Sequence, residues 1–380
     1  MKIPFGKPII GKAEFNSIKK VLNSSRLVHG SKTEEFEKSF SNFVGGGFAT
    51  SLSSCTSGLH LANIILGIGS NDEVLVPSLS HVATVHAVEY VGAKPIFIDA
   101  DVKTGNIDLD LLQPKVTSKT KALIIVHYLG LPLNMDKVTK FCKKNKIFLI
   151  EDCALALGSR FKKKHVGLFG EIGAFSFYPV KHITTAEGGM VISKNKKIID
   201  KVKKFKAFGY DRPLNQRIIP GMYDVNLLGY NFRMNEIEAA IGLEQLKQLP
   251  SFIRKRITNM SIYKSQIKNI NNIRLIDNDL NEALNSYYCA VIMLENSLKK
   301  KRNQILKILV NKGIGCSIYY PGPIPNYKFY KKKYKTKVSE FKNASLFSNS
   351  SISLPLGPHV KKSEINFICQ QLQNIVEELS

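Results

Sequence analysis

The sequence predicts an α/β protein with a mostly parallel central sheet, helices on both faces of that sheet, and a smaller C-terminal α+β domain. Short apolar runs alternate with helix-like stretches from about residue 14 to residue 195. Continuous apolar strands that are separated by helices are typical of parallel sheets covered on both faces. The length of 380 residues also exceeds what one simple core needs, which indicates a large domain and a small one.

Six runs are predicted as strands of the parallel sheet, and helices are predicted between them. The strands are Glu73–Pro77, Pro95–Asp99, Ala122–His127, Ile147–Glu151, Gly173–Phe177 and Met190–Ser193. The helices include Ser57–Leu66, Val82–Val91 and Met135–Asn145. Ligands of such sheets bind at the carboxyl ends of the strands, so the residues that directly follow a strand are the first candidates for a functional site.

The pattern changes near Pro250. A helix is predicted from about Asn235 to Gln248, and Pro250 is expected to end it and to separate two domains, residues 1–249 and residues 250–380. In the small domain the pattern predicts three helices and two strands. The helices are Ser251–Ile270, Leu298–Asn311 and Ser363–Leu379, and the strands are Tyr287–Leu294 and Gly315–Tyr319.

The composition excludes several classes of protein. The formal net charge is +25, but only 9 of the 55 basic residues are Arg, and the lysines are spread along the chain rather than gathered in a phosphate-binding pattern. No run of about 18 apolar residues predicts a membrane span, and Met1–Phe5 is not followed by the apolar core of a secretory signal. We therefore expect a cytoplasmic protein that binds neither nucleic acid nor a membrane.

The six cysteines predict neither a disulfide scaffold nor a zinc site. None of them pairs as C-x-x-C, and they are scattered through apolar or mixed runs. Free thiols and no bound metal are therefore expected.

One lysine follows a predicted buried strand and precedes a pair of glycines. Lys181 comes shortly after Phe177, and Gly188-Gly189 leads into the next strand. Burial makes a lysine amine easier to deprotonate, and a neutral amine can form a Schiff base with an aldehyde. The glycines would let the backbone approach closely at such a site. Taken alone, Lys181 is more simply a surface lysine in a loop.

A carboxylate at the end of another strand makes a cofactor site the better interpretation. Asp152 follows the run that ends at Glu151, and it precedes Lys181 by 29 residues. Pyridoxal phosphate (PLP) acts as an electron sink when its pyridine nitrogen stays protonated, and a buried Asp is a usual partner of that nitrogen. The alternative is that Asp152 caps a following helix. Glu151 is interpreted as structural.

Hydroxyl residues open the predicted helix near residue 57. The segment Ser53–Gly58 offers side-chain hydroxyls and backbone N–H groups at a helix N-terminus, where a phosphate can bind. Thr56 and Ser57 are the candidates, and Ser176 supplies another hydroxyl. This motif is weak by itself, because many helices begin with Ser or Thr.

These three elements, in this order, resemble the DegT/DnrJ/EryC1/StrS family of sugar aminotransferases, and the resemblance extends over nearly the whole chain. The further matching segments are Gly30–Glu37, Pro77–Thr84, His127–Asp136, Gly229–Met234 with Glu236, Tyr319–Pro323 and Ser353–Leu356. The resemblance implies PLP fold type I and a homodimer with shared active sites.

The resemblance also assigns roles to individual residues. Lys181 would be the Schiff-base lysine and the base that moves a proton between the substrate carbon and the cofactor. Asp152 would face the pyridine nitrogen. The cofactor phosphate would be bound by Thr56, Ser57 and Ser176.

Two further positions of the resemblance concern the cofactor. Asn231 would reach the phosphate from the partner subunit, and His81 would lie over the PLP ring, although a core or surface histidine remains an alternative. Leu155 departs from the family, because many members carry Gln or His there to hydrogen-bond the phenolic oxygen of the cofactor. His182 is interpreted as a packing or supporting residue.

The implied reaction moves an amino group from an amino acid, with glutamate as the expected donor, to a keto-deoxy sugar nucleotide, with pyridoxamine phosphate (PMP) as the intermediate form of the cofactor. Tyr319 and Tyr320 would lie near the sugar nucleotide, and surface glycan biosynthesis is the implied role. One alternative is a PMP-dependent sugar-nucleotide dehydratase, a group that typically replaces the lysine with His. The other is a non-catalytic or regulatory protein on the same fold. The presence of Lys181 and Asp152 favours the transferase.

Overall fold

The computed structural model describes residues 2–212, 216 and 218–379. Its strands are β1 (Phe48–Leu52), β2 (Glu73–Pro77), β3 (Lys94–Ile98), β4 (Thr120–Val126), β5 (Phe148–Asp152), β6 (Arg160–Phe161), β7 (Lys164–His165), β8 (Ile172–Ser176), β9 (Gly189–Ser193), β10 (Ile273–Leu275), β11 (Ala283–Leu284), β12 (Ala290–Leu294) and β13 (Ser351–Leu354). Its helices are α1 (Lys12–Leu22), α2 (Ser31–Val44), α3 (Cys55–Ile65), α4 (Val82–Glu89), α5 (Met135–Asn145), α6 (Lys196–Phe205), α7 (Glu236–Ile267), α8 (Arg302–Asn311), α9 (Lys328–Tyr334), α10 (Lys342–Ser350) and α11 (Lys362–Leu379).

A seven-stranded sheet forms the centre of the molecule, in the order β1-β9-β8-β5-β4-β2-β3. Every neighbouring pair is parallel except the two pairs that involve β9. All six predicted strands of this sheet are present, each within two residues of its predicted bounds. The predicted fold class is therefore confirmed.

Helices cover both faces of this sheet. Successive side chains of a strand point to opposite faces, and in β4 Ala122 and Ile124 pack in the same cluster as α3, α4 and α6. Leu123 and Ile125 pack on the other face against α5. The helices α2 and α7 cover the β8–β9 part of the sheet through a third cluster that includes Phe36, Phe40 and Leu243.

The edge strand β1 was not predicted, because its sequence is not a continuous apolar run. Thr50 and Ser51 are buried in it, and both hydroxyls donate hydrogen bonds to Glu37 Oε1 of α2, at 2.9 Å each. Lys206 Nζ also donates to Thr50 Oγ1 at 2.7 Å. Specific polar partners therefore make this strand compatible with burial, and such partners cannot be inferred from the local sequence.

The predicted helix end at Pro250 is wrong. Pro250 lies inside α7, a helix of 32 residues that continues past the proline. Proline removes one backbone hydrogen bond and crowds the preceding turn, but Leu249, Phe252 and Ile253 are buried on either side and keep both halves of the helix packed. The division into residues 1–249 and 250–380 remains a prediction, and α7 spans the proposed boundary.

The C-terminal part contains a three-stranded antiparallel sheet in the order β10-β12-β13, with α8, α10 and α11 around it. The predicted strand Tyr287–Leu294 is shortened to β12, because Tyr287 has a positive φ of 47° that is incompatible with a strand. The predicted strand Gly315–Tyr319 is not formed, since only Ser317 pairs, with Ser353, as an isolated bridge. Among the described residues, no helix combines the length and the apolar character that crossing a membrane requires.

Candidate active site

The loop that carries Lys181 lies where β5 and β8 end and α3 begins. In the sheet, Asp152 at the end of β5 pairs with Ala174 of β8, and Ser176 at the end of β8 pairs with Gly189. The neighbouring Gly188 forms a bridge with Ser54, the residue that caps α3. The three sequence motifs are therefore brought together at one edge of the sheet.

The amine of Lys181 is held in a mostly buried environment. Burial lowers the pKa of Lys181, while Asp152 and the thiols of Cys55 and Cys289 act in the opposite direction. The Nζ atom lies 5.2 Å from the centre of the Tyr288 ring. A lysine with a lowered pKa is more often neutral, and the neutral amine is the form that attacks a carbonyl carbon.

Asp152 presents a buried carboxylate beside this lysine. Its Oδ2 accepts a hydrogen bond from Thr84 Oγ1 at 2.8 Å, and its Oδ1 accepts one from the backbone N–H of Ala154 at 3.0 Å. The Thr84 hydroxyl also lies 2.8 Å from Ser80 Oγ. The alternative in which Asp152 caps a helix is wrong, because turns and not a helix follow β5.

Glu151 has the structural role expected of it. Burial alone would raise its pKa, but the hydrogen bond and charge of His127 together with backbone N–H donors outweigh that effect, so that the pKa of Glu151 lies below its usual value. His127 Nε2 lies 3.0 Å from Oε2, and the N–H groups of Gly167, Phe169 and Gly170 donate at 2.7 Å each. These bonds tie the ends of β4 and β5 to the loop before β8.

The same residues do not offer an open metal site. Ligand atoms of His127, Glu151 and Cys153 lie within 4.8 Å of one another. Both carboxylate oxygens of Glu151 already accept two hydrogen bonds each, and burial raises the pKa of the Cys153 thiol well above its usual value. A metal would have to displace that network and remove the thiol proton, so we interpret the cluster as structural.

Two glycines allow the backbone to approach the N-terminus of α3. A Cβ atom on Gly189 would lie 2.4 Å from the carbonyl carbon of Ser54 and 2.5 Å from the backbone nitrogen of Cys55. Gly188 has a φ of 148°, and a Cβ there would lie 2.2 Å from Thr185 Oγ1. A Cβ atom on Gly189 would force a shift of the backbone, and the φ of Gly188 is one that residues with a Cβ atom rarely adopt. Both positions therefore favour glycine, as the sequence pattern predicted.

The candidate phosphate-binding residues differ in how free their hydroxyls are. Ser54 and Ser57 form a capping box, in which Ser54 Oγ accepts from the Ser57 N–H at 3.1 Å and Ser57 Oγ donates to the Ser54 carbonyl at 2.8 Å. The hydroxyl proton of Ser57 is therefore used inside the helix cap. Thr56 and Ser176 are partly exposed at the same place, which makes them the better placed hydroxyls for an anion.

Asn231 lies next to the loop that leads into α3 of its own chain. The carbonyl of its neighbour Phe232 accepts a hydrogen bond from the Ser53 N–H at 2.9 Å. Asn231 itself is exposed, and its Oδ1 accepts from Arg233 Nε at 3.0 Å. The expected contact with the phosphate of a partner subunit stays a prediction.

His81 is positioned close to the reactive lysine. It caps α4, with Nδ1 accepting from the Ala83 N–H at 3.2 Å, and its ring centre lies 6.0 Å from that of Tyr320. Burial lowers the pKa of His81, and the positive charge of Lys181 lowers it further. A largely neutral imidazole at this edge of the sheet fits the expected position over a cofactor ring.

Leu155 and His182 behave as packing residues. Leu155 is buried in the main apolar cluster and offers no hydrogen bond from its side chain. His182 is buried, its Nε2 donates to the Ser286 carbonyl at 3.2 Å, and burial lowers its pKa well below the usual value. His182 is therefore directed into the protein and does not replace its neighbour Lys181.

Several residues at this site carry no local signal in the sequence. Tyr288 and Cys289 reach Lys181 from the segment just before β12, more than a hundred residues later in the chain. Of the residues that the sequence analysis missed, Thr84 could have been found, since it is a small hydroxyl residue in the first turn of a helix that follows a strand of the sheet.

The buried carboxylate, the lysine with a lowered pKa and the glycine-lined helix N-terminus together fit a PLP molecule, which carries a pyridine nitrogen, an aldehyde and a phosphate.

Comparison with known proteins agrees with this fit. The profile of the DegT/DnrJ/EryC1/StrS aminotransferase family matches residues 8–373. The chain belongs to the DegT/DnrJ/EryC1/StrS aminotransferase family. The chain is 33% identical to the GDP-perosamine synthase of Escherichia coli O157:H7 over 378 residues, which cover 99% of each chain.

Two more proteins resemble the chain over nearly its whole length. The spore coat polysaccharide biosynthesis protein SpsC of Bacillus subtilis is 31% identical over 99% of this chain and 97% of its own. The PMP form of Spr1654 from Streptococcus pneumoniae, assigned as a sugar aminotransferase, superposes with a TM-score of 0.95 at 27% identity over 100% of each chain. The predictions of this family, of its fold and of a PLP-dependent sugar aminotransferase are confirmed.

Proposed function

We propose that this protein transfers an amino group from an amino acid, with glutamate as the donor, to a keto-deoxy sugar nucleotide used in surface glycan biosynthesis. The observation that carries the proposal is the mostly buried Lys181, whose pKa is lowered by burial, together with the buried carboxylate of Asp152 at the end of β5. Its relatives support the substrate class, because the GDP-perosamine synthase and SpsC both carry names of sugar or polysaccharide biosynthesis.

The residues of the chain divide the work of such a reaction. When bound, PLP supplies an electron sink and carries the amino group between the two substrates. Asp152, oriented by Thr84 and Ala154, would keep a proton on the pyridine nitrogen. Lys181 would bind the aldehyde carbon through Nζ and would later accept and return the proton of the substrate carbon, since its lowered pKa makes the neutral amine available.

The remaining predicted residues would position the cofactor. Thr56 and Ser176 would donate hydrogen bonds to its phosphate at the N-terminus of α3. Ser57, whose N–H and hydroxyl are both engaged with Ser54, would hold this helix N-terminus in place. His81 would cover one face of the ring and exclude water from it. The side chain of Asn231 would complete the phosphate site from the partner subunit.

Covalent trapping tests the role of Lys181. Borohydride reduction of the PLP-loaded protein should fix the cofactor to the peptide that contains Lys181, and Lys181→Ala should abolish both the label and the turnover. Lys206 provides a control inside the same molecule, because it is also a buried lysine, but its Nζ is paired with Glu37 at 3.1 Å. A label on Lys206, or unchanged turnover in Lys181→Ala, would refute the assignment.

The two half-reactions distinguish a transferase from a dehydratase. Glutamate should bleach the absorbance of the lysine-bound cofactor, and a keto-sugar nucleotide should restore it from the PMP form and yield an amino sugar. A panel of UDP-, dTDP- and GDP-linked keto sugars identifies the acceptor. If glutamate changes nothing and a keto sugar loses a hydroxyl instead, the dehydratase is the correct function.

We also propose a homodimer with shared active sites. The segment before Asn231 exposes several large apolar side chains, which are Ile218 at 88%, Met222 at 62% and Leu228 at 85% of their surface. Exposed apolar groups that lie together in the sequence are typical of an interface between proteins. Leu228→Glu should therefore shift the mass measured by light scattering from dimer to monomer, whereas a monomeric parent protein would refute the proposal.

Subunit mixing tests whether the sites are shared. Lys181→Ala and Asn231→Ala should each lack most of the activity as pure proteins. A hybrid of the two has one site in which Lys181 and Asn231 are both intact, provided that these residues come from different subunits. Activity should then return after mixing, and its absence in a demonstrated hybrid would show that each subunit uses its own Asn231.

We propose that the enzyme works in the cytoplasm, where its six free cysteines stay reduced.

A further inference from the structure

A second buried cation lies near Lys181, and it has no anionic partner among the described residues. Arg256, in the C-terminal half of α7, exposes only 5% of its surface. Its Nη1 donates to the carbonyls of Tyr287 and Tyr288, at 3.1 and 2.7 Å, while its buried Nε has no hydrogen-bond partner in the part of the chain that the structure describes. In the described part of the chain, no carboxylate forms an ion pair with Arg256, so its charge is balanced only by carbonyl dipoles.

The unpaired guanidinium faces a cavity that it shares with the reactive lysine. This cavity is lined by Lys7, Lys181, Arg256, Tyr288, Gly357 and His359. Tyr288 links the two cations, because its carbonyl accepts from Arg256 and its ring lies 5.2 Å from Lys181 Nζ. The cavity therefore gathers positive charge beside the lysine that is expected to hold the cofactor.

The far wall of the cavity is held rigidly by α7. Asn259 Nδ2 donates to the carbonyls of Leu356, Gly357 and Val360, and Tyr263 Oη donates to the Pro355 carbonyl at 2.8 Å. A Cβ atom on Gly357 would lie 2.7 Å from His359 Nδ1 and 3.5 Å from Arg256 Nη2. Glycine at this position keeps the space beside the guanidinium open.

His359 completes the cavity with a free ring nitrogen. Its Nε2 lies 3.0 Å from the Pro4 carbonyl and donates to it, which leaves Nδ1 facing Gly357. Lys7 stands on the exposed side, and its charge acts on the His359 ring. The cavity thus has a buried end at Arg256 and a charged, accessible end at Lys7.

We propose that Arg256 binds a carboxylate of the amino donor, with Lys7 and His359 helping to hold it. The inference rests on the proposed function, whose donor it explains. A guanidinium forms paired hydrogen bonds with a carboxylate, and a buried one without a counter-charge gains most from such a partner. The cavity is small, about 20 Å³, which is room for about one water molecule and excludes the diphosphate of a sugar nucleotide.

Glutarate is the probe that separates this binding from the reaction, because it has both carboxylates of glutamate and no amine. Its affinity for the PLP-loaded enzyme is measured by calorimetry, alongside the two half-reactions. In Arg256→Gln, the affinity for glutarate and the apparent affinity for glutamate should fall about 10- to 100-fold, the loss expected for one charge-assisted pair. The half-reaction of the PMP form with a keto-sugar nucleotide should change less than about twofold.

Matched variants control for folding. Arg256→Lys keeps the charge but not the fork of donors, and should lie between the parent and Arg256→Gln. Arg302 in α8 is another arginine with a buried Nε that lacks a partner, and Arg302→Gln should leave glutarate binding unchanged. If Arg256→Gln does not fold, Lys7→Gln provides the test at an exposed position, with an expected loss of about threefold in glutarate affinity.

The outcomes separate this inference from the proposed function. Unchanged glutarate binding in Arg256→Gln, or an equal loss in both half-reactions, would overturn the carboxylate site and leave the transferase in place. Glutarate binding that depends on Arg256 in a protein that aminates no keto sugar would support the site and refute the proposed acceptor. A parent enzyme that binds no glutarate at millimolar concentration would also overturn the inference.

Discussion

His165 predicts a specific sensitivity of the fold to acid. The residue is fully buried in β7, where its Nε2 accepts from the Gly158 N–H at 2.8 Å and its Nδ1 donates to the Val166 carbonyl at 2.5 Å. The imidazole is therefore neutral, and burial lowers the pKa of His165 to about 4. These two hydrogen bonds close the loop that follows Asp152, and they therefore couple the conformation of His165 to the candidate cofactor site.

The size of this acid effect on the free energy of unfolding follows from the difference between the pKa of His165 in the folded and in the unfolded chain. In the unfolded chain a histidine has a pKa of about 6.5, so that it takes up a proton between pH 6.5 and 4 while the folded His165 does not. The neutral His165 makes its full contribution to the free energy of unfolding above pH 6.5, and this contribution is lost progressively as the pH falls toward 4. Between pH 7 and pH 5 the loss amounts to about 2 kcal/mol of unfolding free energy.

Urea unfolding measures this pH-dependent contribution of His165 to the free energy of unfolding. The parent protein is compared with His165→Gln, with PLP in the same excess. The glutamine oxygen can accept from the Gly158 N–H but does not titrate, so the variant is expected to lose about 2 kcal/mol less than the parent between pH 7 and pH 5. Its unfolding free energy at pH 7 is expected to be lower, because the packing of the ring against Phe175 is lost. Equal losses in both proteins, within about 0.5 kcal/mol, would show that His165 does not carry the proton-linked term.

Three further substitutions test the supports of the site. Glu151→Gln should lower the unfolding free energy in urea by about 3 kcal/mol or more, because an amide nitrogen would then face N–H donors, and a loss under 1 kcal/mol would contradict the network. Thr84→Val should weaken PLP binding by about tenfold in a fluorescence titration, because Asp152 loses a hydroxyl donor; unchanged binding would show that this hydrogen bond does not support the site. Gly189→Ala should prevent saturation with PLP at micromolar concentration, because its Cβ would lie 2.4 Å from the Ser54 carbonyl carbon, and normal saturation would exclude a tight approach there.

The parts of the fold that were predicted well are those in which local signals and burial agree. Helix α5 was predicted to the residue, since Asn134 accepts from the Lys137 N–H and caps it at the predicted start. The apolar runs of β2, β4 and β5 are buried on both faces, as the pattern requires. Pro250 failed as a helix end because tertiary packing around it outweighs its local cost.

The candidate site follows the same division. Asp152, Ser176 and Lys181 could be predicted because they lie at or shortly after the carboxyl ends of strands, where the topology of the sheet places a ligand. Tyr288 and Arg256 could not, because they reach the site from the segment before β12 and from α7, through contacts that join distant parts of the chain. Their side chains are brought there by the packing of the C-terminal part against the central sheet, and no spacing in the sequence records that distance.

The two cations of the cavity differ in a way that suits two different tasks. Burial lowers the pKa of Arg256 to about 10, so at pH 7 only about one molecule in a thousand carries a neutral guanidinium. Lys181 starts from a lower ordinary pKa, and burial lowers it further toward the range in which an amine can lose its proton. Arg256 is therefore a permanent charge that can anchor an anion but cannot react, whereas Lys181 can act as a nucleophile and a base.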